Sequence, residues 1–265
     1  MKRKLPAELI FQLFSLLISI IIVHAVYVAV IRPNAEVFLK QETVRLATEK
    51  NAIQRHSAFV TVKDMEQEIC FVLFFWALAI IAYKGMMAMK EQALLYKELV
   101  PISEGMKILP EDVRSVSRSV QSLPENEQPY LLPRAVLTAL HRFDATRNIQ
   151  DVSIAVRNLC DTEAERMESE LSMIRYIVWA IPSIGFIGTV RGIGDALGQA
   201  YKAVEGDITG VTQSLGVAFN STLIALLISI VLMLVVHQLQ STQDRLVLDA
   251  ETYCDSHLIR HLRVS

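Results

Sequence analysis

Charge is what this sequence is short of. Asp, Glu, Lys and Arg make up 20% of its 265 residues, against 52% hydrophobic ones, and its mean hydropathy is +0.35. Soluble domains carry charge on nearer a quarter of their residues, so an ordinary soluble domain is excluded. A net charge of −2 removes any bulk electrostatic case for nucleic acid. Cysteine is equally scarce: Cys70, Cys160 and Cys254 show no CxxC spacing, which leaves three reduced structural thiols and no disulfide framework. The one glycine-rich stretch, GFIGTVRGIGDALG at 185–198, lacks a Walker lysine and a preceding strand pattern. Leu197 also stands where a dinucleotide fingerprint needs its third small residue, so both phosphate-loop readings fail. His257 and His261 sit four apart near Cys254 and Asp255, a metal-ligand spacing that reads more simply as a solvated helix end. With no nucleophile–base constellation, the chain is read as no enzyme, with no metal and no cofactor.

What is abundant is uninterrupted apolar sequence. The block 9–31 holds no Asp, Glu, Lys or Arg and is long enough to cross the hydrocarbon core as a helix. It follows Lys2, Arg3 and Lys4 and is not succeeded by a small-residue cleavage site, so it reads as a retained span and not a signal peptide. A second block, 69–83, reaches spanning length if Lys84 snorkels and 85–89 continue the helix. The third span, 175–198, runs into the glycine-rich stretch, and the fourth covers 215–239. The expected fold is an all-α integral membrane protein with four transmembrane helices, the last two long and extending into the cytoplasm. With residues 1–8 inside, the segments 84–175 and 240–265 are also inside, giving 18 Lys/Arg there against 8 in the rest of the chain, as the positive-inside rule asks. Residues 32–68 and 199–214 are then periplasmic, 69–89 is the second span, and 90–174 forms a cytoplasmic helical domain.

Between the spans, 33–68 reads as polar helix with apolar positions at Val37, Val44, Ala47 and Ala52, extending the first two spans. Pro101, Pro110, Pro124, Pro129 and Pro133 break the next segment, and 122–133 reads as a connection. From Arg134 onward Val136, Leu140, Phe143, Ile149, Val152, Val156 and Leu159 follow a helical period. No Pro or Gly interrupts before Pro182, so one helix is expected from about Arg134 through the membrane. A short turn near 206–210 joins it to a second long helix, whose Leu246, Leu248, Leu258, Ile259 and Leu262 are candidates to pack against the first.

Small residues recur every fourth position in span three, at Gly188, Gly192, Ala196 and Ala200. Span four repeats the spacing at Ser221, Ala225 and Ser229. Such faces let membrane helices approach closely. Thr189 and the cluster Asn220, Ser221 and Thr222 need polar partners within hydrocarbon, and a hydrated path between the two spans would supply them. Spans three and four contain no central carboxylate, so a titrating group for proton movement is expected from another polypeptide. Arg191 and Asp195 lie toward the outer end and read as interfacial or gate residues. His24 is an intramembrane imidazole, read as hydrogen-bonded and structural, with no obvious partner.

IPSIGFIGTVRGIGDALGQA together with GVTQSLGVAFNSTLIALLISIVLML resembles the paired pore helices of the MotA/TolQ/ExbB proton-channel family. Two additional N-terminal spans resemble the four-span layout of its flagellar members. The resemblance matches Thr189 and Thr222 to pore-lining threonines and Pro182 to the span-three proline, with Gly185, Gly188, Gly192, Ala225 and Ser229 lining or packing the pore. Val217 stands where some transport members carry a glutamate, and Arg191 replaces an apolar or aromatic residue. The resemblance implies a proton-driven channel or motor subunit of the bacterial inner membrane. It also implies a homo-pentamer around a two-copy, single-span MotB/TolR/ExbD-like partner with an intramembrane aspartate. A non-conducting membrane scaffold or a sensor subunit is the alternative reading.

Overall fold

The computed structural model describes residues 7–48, 55, 57–97, 99, 100 and 107–264. The basic residues Lys2, Arg3 and Lys4, the positions Ala47 (as a side chain) and Ala52, and Pro101 lie outside what is described. Among the described residues ten α-helices follow in order: α1 Ala7–Val26, α2 Arg32–Thr48, α3 Ala58–Thr61, α4 Met65–Leu95, α5 Val113–Gln121, α6 Leu131–Thr146, α7 Ile149–Glu170, α8 Ser172–Gly198, α9 Ala200–Val204 and α10 Thr209–His257. Four helical stretches among the described residues are long and apolar enough to cross a membrane: Glu8–Arg45, Met65–Leu95, Ile149–Gly198 and Thr209–His261. The chain divides into two compact units, one of Met1–Ile81 with Met173–Val236, the other of Ala82–Ser172 with His237–Ser265.

In the first unit α1 passes into α2 through a π-helical turn, Tyr27–Ile31. The cause is Pro33, which has no N–H to continue the α ladder. The Asn34 side-chain amide donates to the Val30 carbonyl at 2.7 Å and satisfies part of what the turn leaves open. α1 turns Leu13, Phe14, Leu17, Ile21 and Ile22 outward, as a helix does when lipid is its solvent. Inside lie Tyr27, Cys70, Ala77, Ile80, Ile177, Ile181, Ala218, Ala225 and Leu232.

The second unit has a continuous core built from Leu94, Ile108, Val120, Leu132, Val136, Leu140, Phe143, Val152, Val156, Ala250, Cys254, Leu258 and Leu262. Of the expected packing positions on α10 and its tail, Leu246, Leu258, Ile259 and Leu262 are buried, whereas Leu248 is exposed. Ile108 pairs with the chain end: its N–H donates to the His261 carbonyl at 2.8 Å and its carbonyl accepts from Arg263 N–H at 3.0 Å. His257 stacks on Tyr253, ring centroids 4.4 Å apart. Lys84 does not snorkel; it is buried and donates to Glu170 at 2.9 Å.

The single helix expected from Arg134 is broken. α6 ends where Arg147 takes the left-handed conformation, φ 51°, and Asn148 then caps α7 by accepting from Gln150 N–H at 2.9 Å. Neither Pro nor Gly is needed for this: Arg147 supplies the αL residue, and Asn is a preferred N-cap. A milder interruption at Leu171 separates α7 from α8. Pro133 also departs from its expected role as a breaker. It occupies the first turn of α6, where a missing N–H costs nothing, and Glu91 from α4 accepts from Leu131 N–H at 3.2 Å to cap that end.

Phe143 is fully buried at the centre of the second core. Phe143→Ala is expected to cost about 3–5 kcal/mol, and Asn148→Ala about 1 kcal/mol, both read from denaturant unfolding of the detergent-solubilised chain.

Candidate functional site

The site is built where α8 crosses α10 in the first unit. Gly185, Gly188, Gly192 and Ala196 are all buried along α8, and Ala218, Ser221 and Ala225 are buried along α10. The approach is close enough that the glycines have no substitute. A Cβ on Gly192 would lie 2.8 Å from Ala218 N, from Ala218 Cβ and from the Ser214 carbonyl. On Gly188 it would meet Ser221 Oγ at 2.8 Å and Glu66 Cγ at 3.2 Å, and on Gly185 it would collide with Ala225 Cβ.

Close approach brings side chains onto carbonyls of the facing helices, one of which α8 itself leaves open. Pro182 has no N–H for the Val178 carbonyl, and Ser229 Oγ from α10 reaches that oxygen at 3.4 Å. Cys70 Sγ from α4 points at the Ile181 carbonyl, 3.6 Å away. Thr222 Oγ1 donates to the Gly185 carbonyl at 3.1 Å. Thr189 Oγ1 lies 3.1 Å from the Ala218 carbonyl, 3.3 Å from the Gly185 carbonyl, and in direct contact with Thr222 Oγ1. Two hydroxyl protons thus face two carbonyls and one another. With Thr222 donating to Gly185, Thr189 has a choice between Ala218 O and Thr222 Oγ1, so the pair can exchange donors without leaving an oxygen unsatisfied.

The three polar residues on α10 do not act together, because consecutive helical positions diverge by about 100°. Thr222 meets Thr189. Ser221 is buried against Gly188, its hydroxyl donating to the Val217 carbonyl at 2.9 Å. Asn220 instead lines a cavity of about 200 Å³ shared with Phe38, Glu42 and Lys63. Asp195 is exposed beyond the crossing, its backbone carbonyl accepting from Gln199 at 3.3 Å.

Arg191 has a partner that sequence reasoning missed. Glu66, in the first turn of α4 and nearly buried, accepts from Arg191 Nη2 at 2.8 Å. Glu68, two residues on and so on the opposite side of the helix, accepts from Arg32 at 2.6 Å and lies 2.6 Å from His24 Nδ1. His24 is therefore hydrogen-bonded, as the sequence reading expects, and Glu68 is the partner that the sequence does not reveal. The signal is the run Glu66-Gln67-Glu68 directly before ICFVLFF, which the sequence reading leaves in the polar helical segment outside a span that begins at Ile69. Acidic residues in a helix's first turn are also favoured by its dipole. Among the described residues no group of three or more His, Cys, Asp or Glu is placed to hold a metal ion.

Gly185→Ala should weaken the crossing, because the new Cβ lands on Ala225 Cβ. Adding Ala225→Gly removes that collision, leaving only contacts of 3.1 Å and 3.3 Å to α10 backbone. The double variant is expected to regain most of the thermal stability lost by the single one, with overpacking costs of about 1–3 kcal/mol at stake.

Residues 128–252 match the family model of the MotA/TolQ/ExbB proton channel family. No curated protein matches the chain, and no solved structure matches it. The matched segment runs from just before α6 to near the end of α10 and contains the whole threonine crossing. The chain is thus a multi-pass membrane protein whose residues 128–252 are similar to the MotA/TolQ/ExbB proton channel family.

Proposed function

We propose that the chain is the channel subunit of a proton-driven machine of the bacterial inner membrane. In this reading five copies surround the transmembrane helices of a single-span MotB/TolR/ExbD-like partner. Both termini, the 90–174 segment and the ends of the long helices are cytoplasmic. The observation that carries the reading is the hydroxyl pair Thr189–Thr222, held over the Gly185 and Ala218 carbonyls inside the family-matched segment.

The crossing itself contributes no carboxylate, so the partner's aspartate supplies the charge that must be neutralised at mid-membrane. Protonation removes that charge and with it the cost of moving the side chain through apolar surroundings. The exchangeable threonine hydroxyls offer either a donor to the ionised acid or an acceptor to the protonated one. One charge crossing 100 mV is worth about 2.3 kcal/mol, enough to bias a two-state step about fiftyfold. Relative movement of ring and partner is the work that this bias drives.

Thr222→Val keeps the volume and removes the hydroxyl. It is expected to abolish proton flux and ion-driven work while the variant still assembles with its partner. Full work from an assembled Thr222→Val complex would leave the crossing as a packing device and the chain as a scaffold.

A further inference from the structure

The first turn of α4 leaves buried polar atoms without partners in a region the threonine crossing does not explain. Gln67 is fully buried; its Oε1 accepts from Asp64 N–H at 2.9 Å, but its Nε2 meets no partner. Tyr27, in the π turn and 1% exposed, has an unpartnered hydroxyl. Asp64 Oδ2 is buried and unpartnered, while Oδ1 lies 3.7 Å from Lys63 Nζ.

These three atoms belong to one place. Asp64 stands directly before α4 and its N–H holds Gln67 Oε1; Gln67 and Phe71 lie four apart on one face of α4, and Tyr27 sits beside Phe71, with ring centroids 6.4 Å apart. Asp64 and Glu68 are within electrostatic reach of the Tyr27 hydroxyl, and Arg191 and Glu66 are within reach of Asp64. Arg32 closes the other side, its guanidinium 5.8 Å from the Tyr27 ring and bonded to Glu68.

A phenol hydroxyl, an amide N–H and a carboxylate oxygen together offer donors and an acceptor. That set suits water, which makes about three hydrogen bonds when buried. A bare cation is disfavoured by the inward amide donor, since hard cations take oxygen ligands. The geometry points to a buried water site lined by Tyr27, Asp64 and Gln67, in which Asp64 takes a proton from hydronium, becoming a neutral acid and leaving water, and returns it toward the threonine crossing. Burial holds the Asp64 carboxyl above the usual carboxylate range, against the opposing pull of Lys63 and Arg191, with Glu66 adding to the rise. The route onward passes Glu66, whose Cγ lies 3.2 Å from where a Cβ on Gly188 would sit. The water site stands on the orphaned atoms alone; its role in feeding the crossing rests on the channel reading.

The test is pH-difference infrared spectroscopy of the full chain in lipid nanodiscs. A carboxylic-acid carbonyl band should grow as pH falls, vanish in Asp64→Asn, and shift in Tyr27→Phe and Gln67→Leu as the water's other partners are lost. Persistence of every titrating band in Asp64→Asn overturns the site, and so does an Asp64 band indifferent to both other variants, the mark of a dry pocket. If Asp64→Asn does not fold, Tyr27→Phe and Gln67→Leu decide alone. In the assembled complex, Asp64→Asn should move the pH midpoint of proton-driven work by about one unit or more. An unmoved midpoint, with Thr222→Val inactive, sinks the feeding role and spares the channel. Full work from Thr222→Val sinks the channel, and the infrared result still decides the water site.

Discussion

A carbonyl oxygen in hydrocarbon has no water to turn to, and each one left unsatisfied costs several kcal/mol. α8 meets that constraint at the Val178 carbonyl, to which Pro182 has no N–H to offer. Ser229, Thr222 and Thr189 supply hydroxyls to the Val178, Gly185 and Ala218 carbonyls. They can reach only because no Cβ stands between the helices at Gly185, Gly188 and Gly192. The small residues and the hydroxyls are thus one device: the first permit the approach and the second make the approach polar where it must be. Tight packing, a proline in a membrane helix and a pair of threonines at mid-span then have a common cause.

Charge is handled by the same logic at the neighbouring helix. Arg191 would be expensive within or beside the bilayer, and Arg32 nearly so. The first turn of α4 answers both, Glu66 bonding to one and Glu68 to the other. The two glutamates point to opposite sides of one helix because they are two residues apart. In the second unit Lys84 is held by Glu170, which Arg166 also contacts. Glu66 and Glu68 are buried although their arginines are half-exposed, so removing either arginine would leave a desolvated carboxylate.

Long apolar runs are the strongest signal a sequence carries, and the four spans were readable from them. The faces of α8 and α10 were readable too, since Gly188, Gly192, Ser221 and Ala225 repeat at helical spacing. What stayed hidden depended on local geometry or on distant partners. The end of α6 at Arg147 could not be inferred from Pro or Gly, because an arginine takes the left-handed position there. Asn220, Ser221 and Thr222 looked like one polar cluster along the chain and diverge once wound into a helix. Glu66 and Glu68 looked like the end of the polar outer segment because hydropathy places a span's start where charge stops. Only tertiary contact with Arg191, Arg32 and His24 shows that α4 already begins at Met65.

The central claim is that Thr189 and Thr222 act as a unit within the ion path. A double-mutant cycle on proton flux, with Thr189→Val, Thr222→Val and both together in the assembled complex, tests it most directly. The account predicts that each single variant loses flux as fully as the double one. Losses that simply multiply would show that the two hydroxyls work independently and would contradict it.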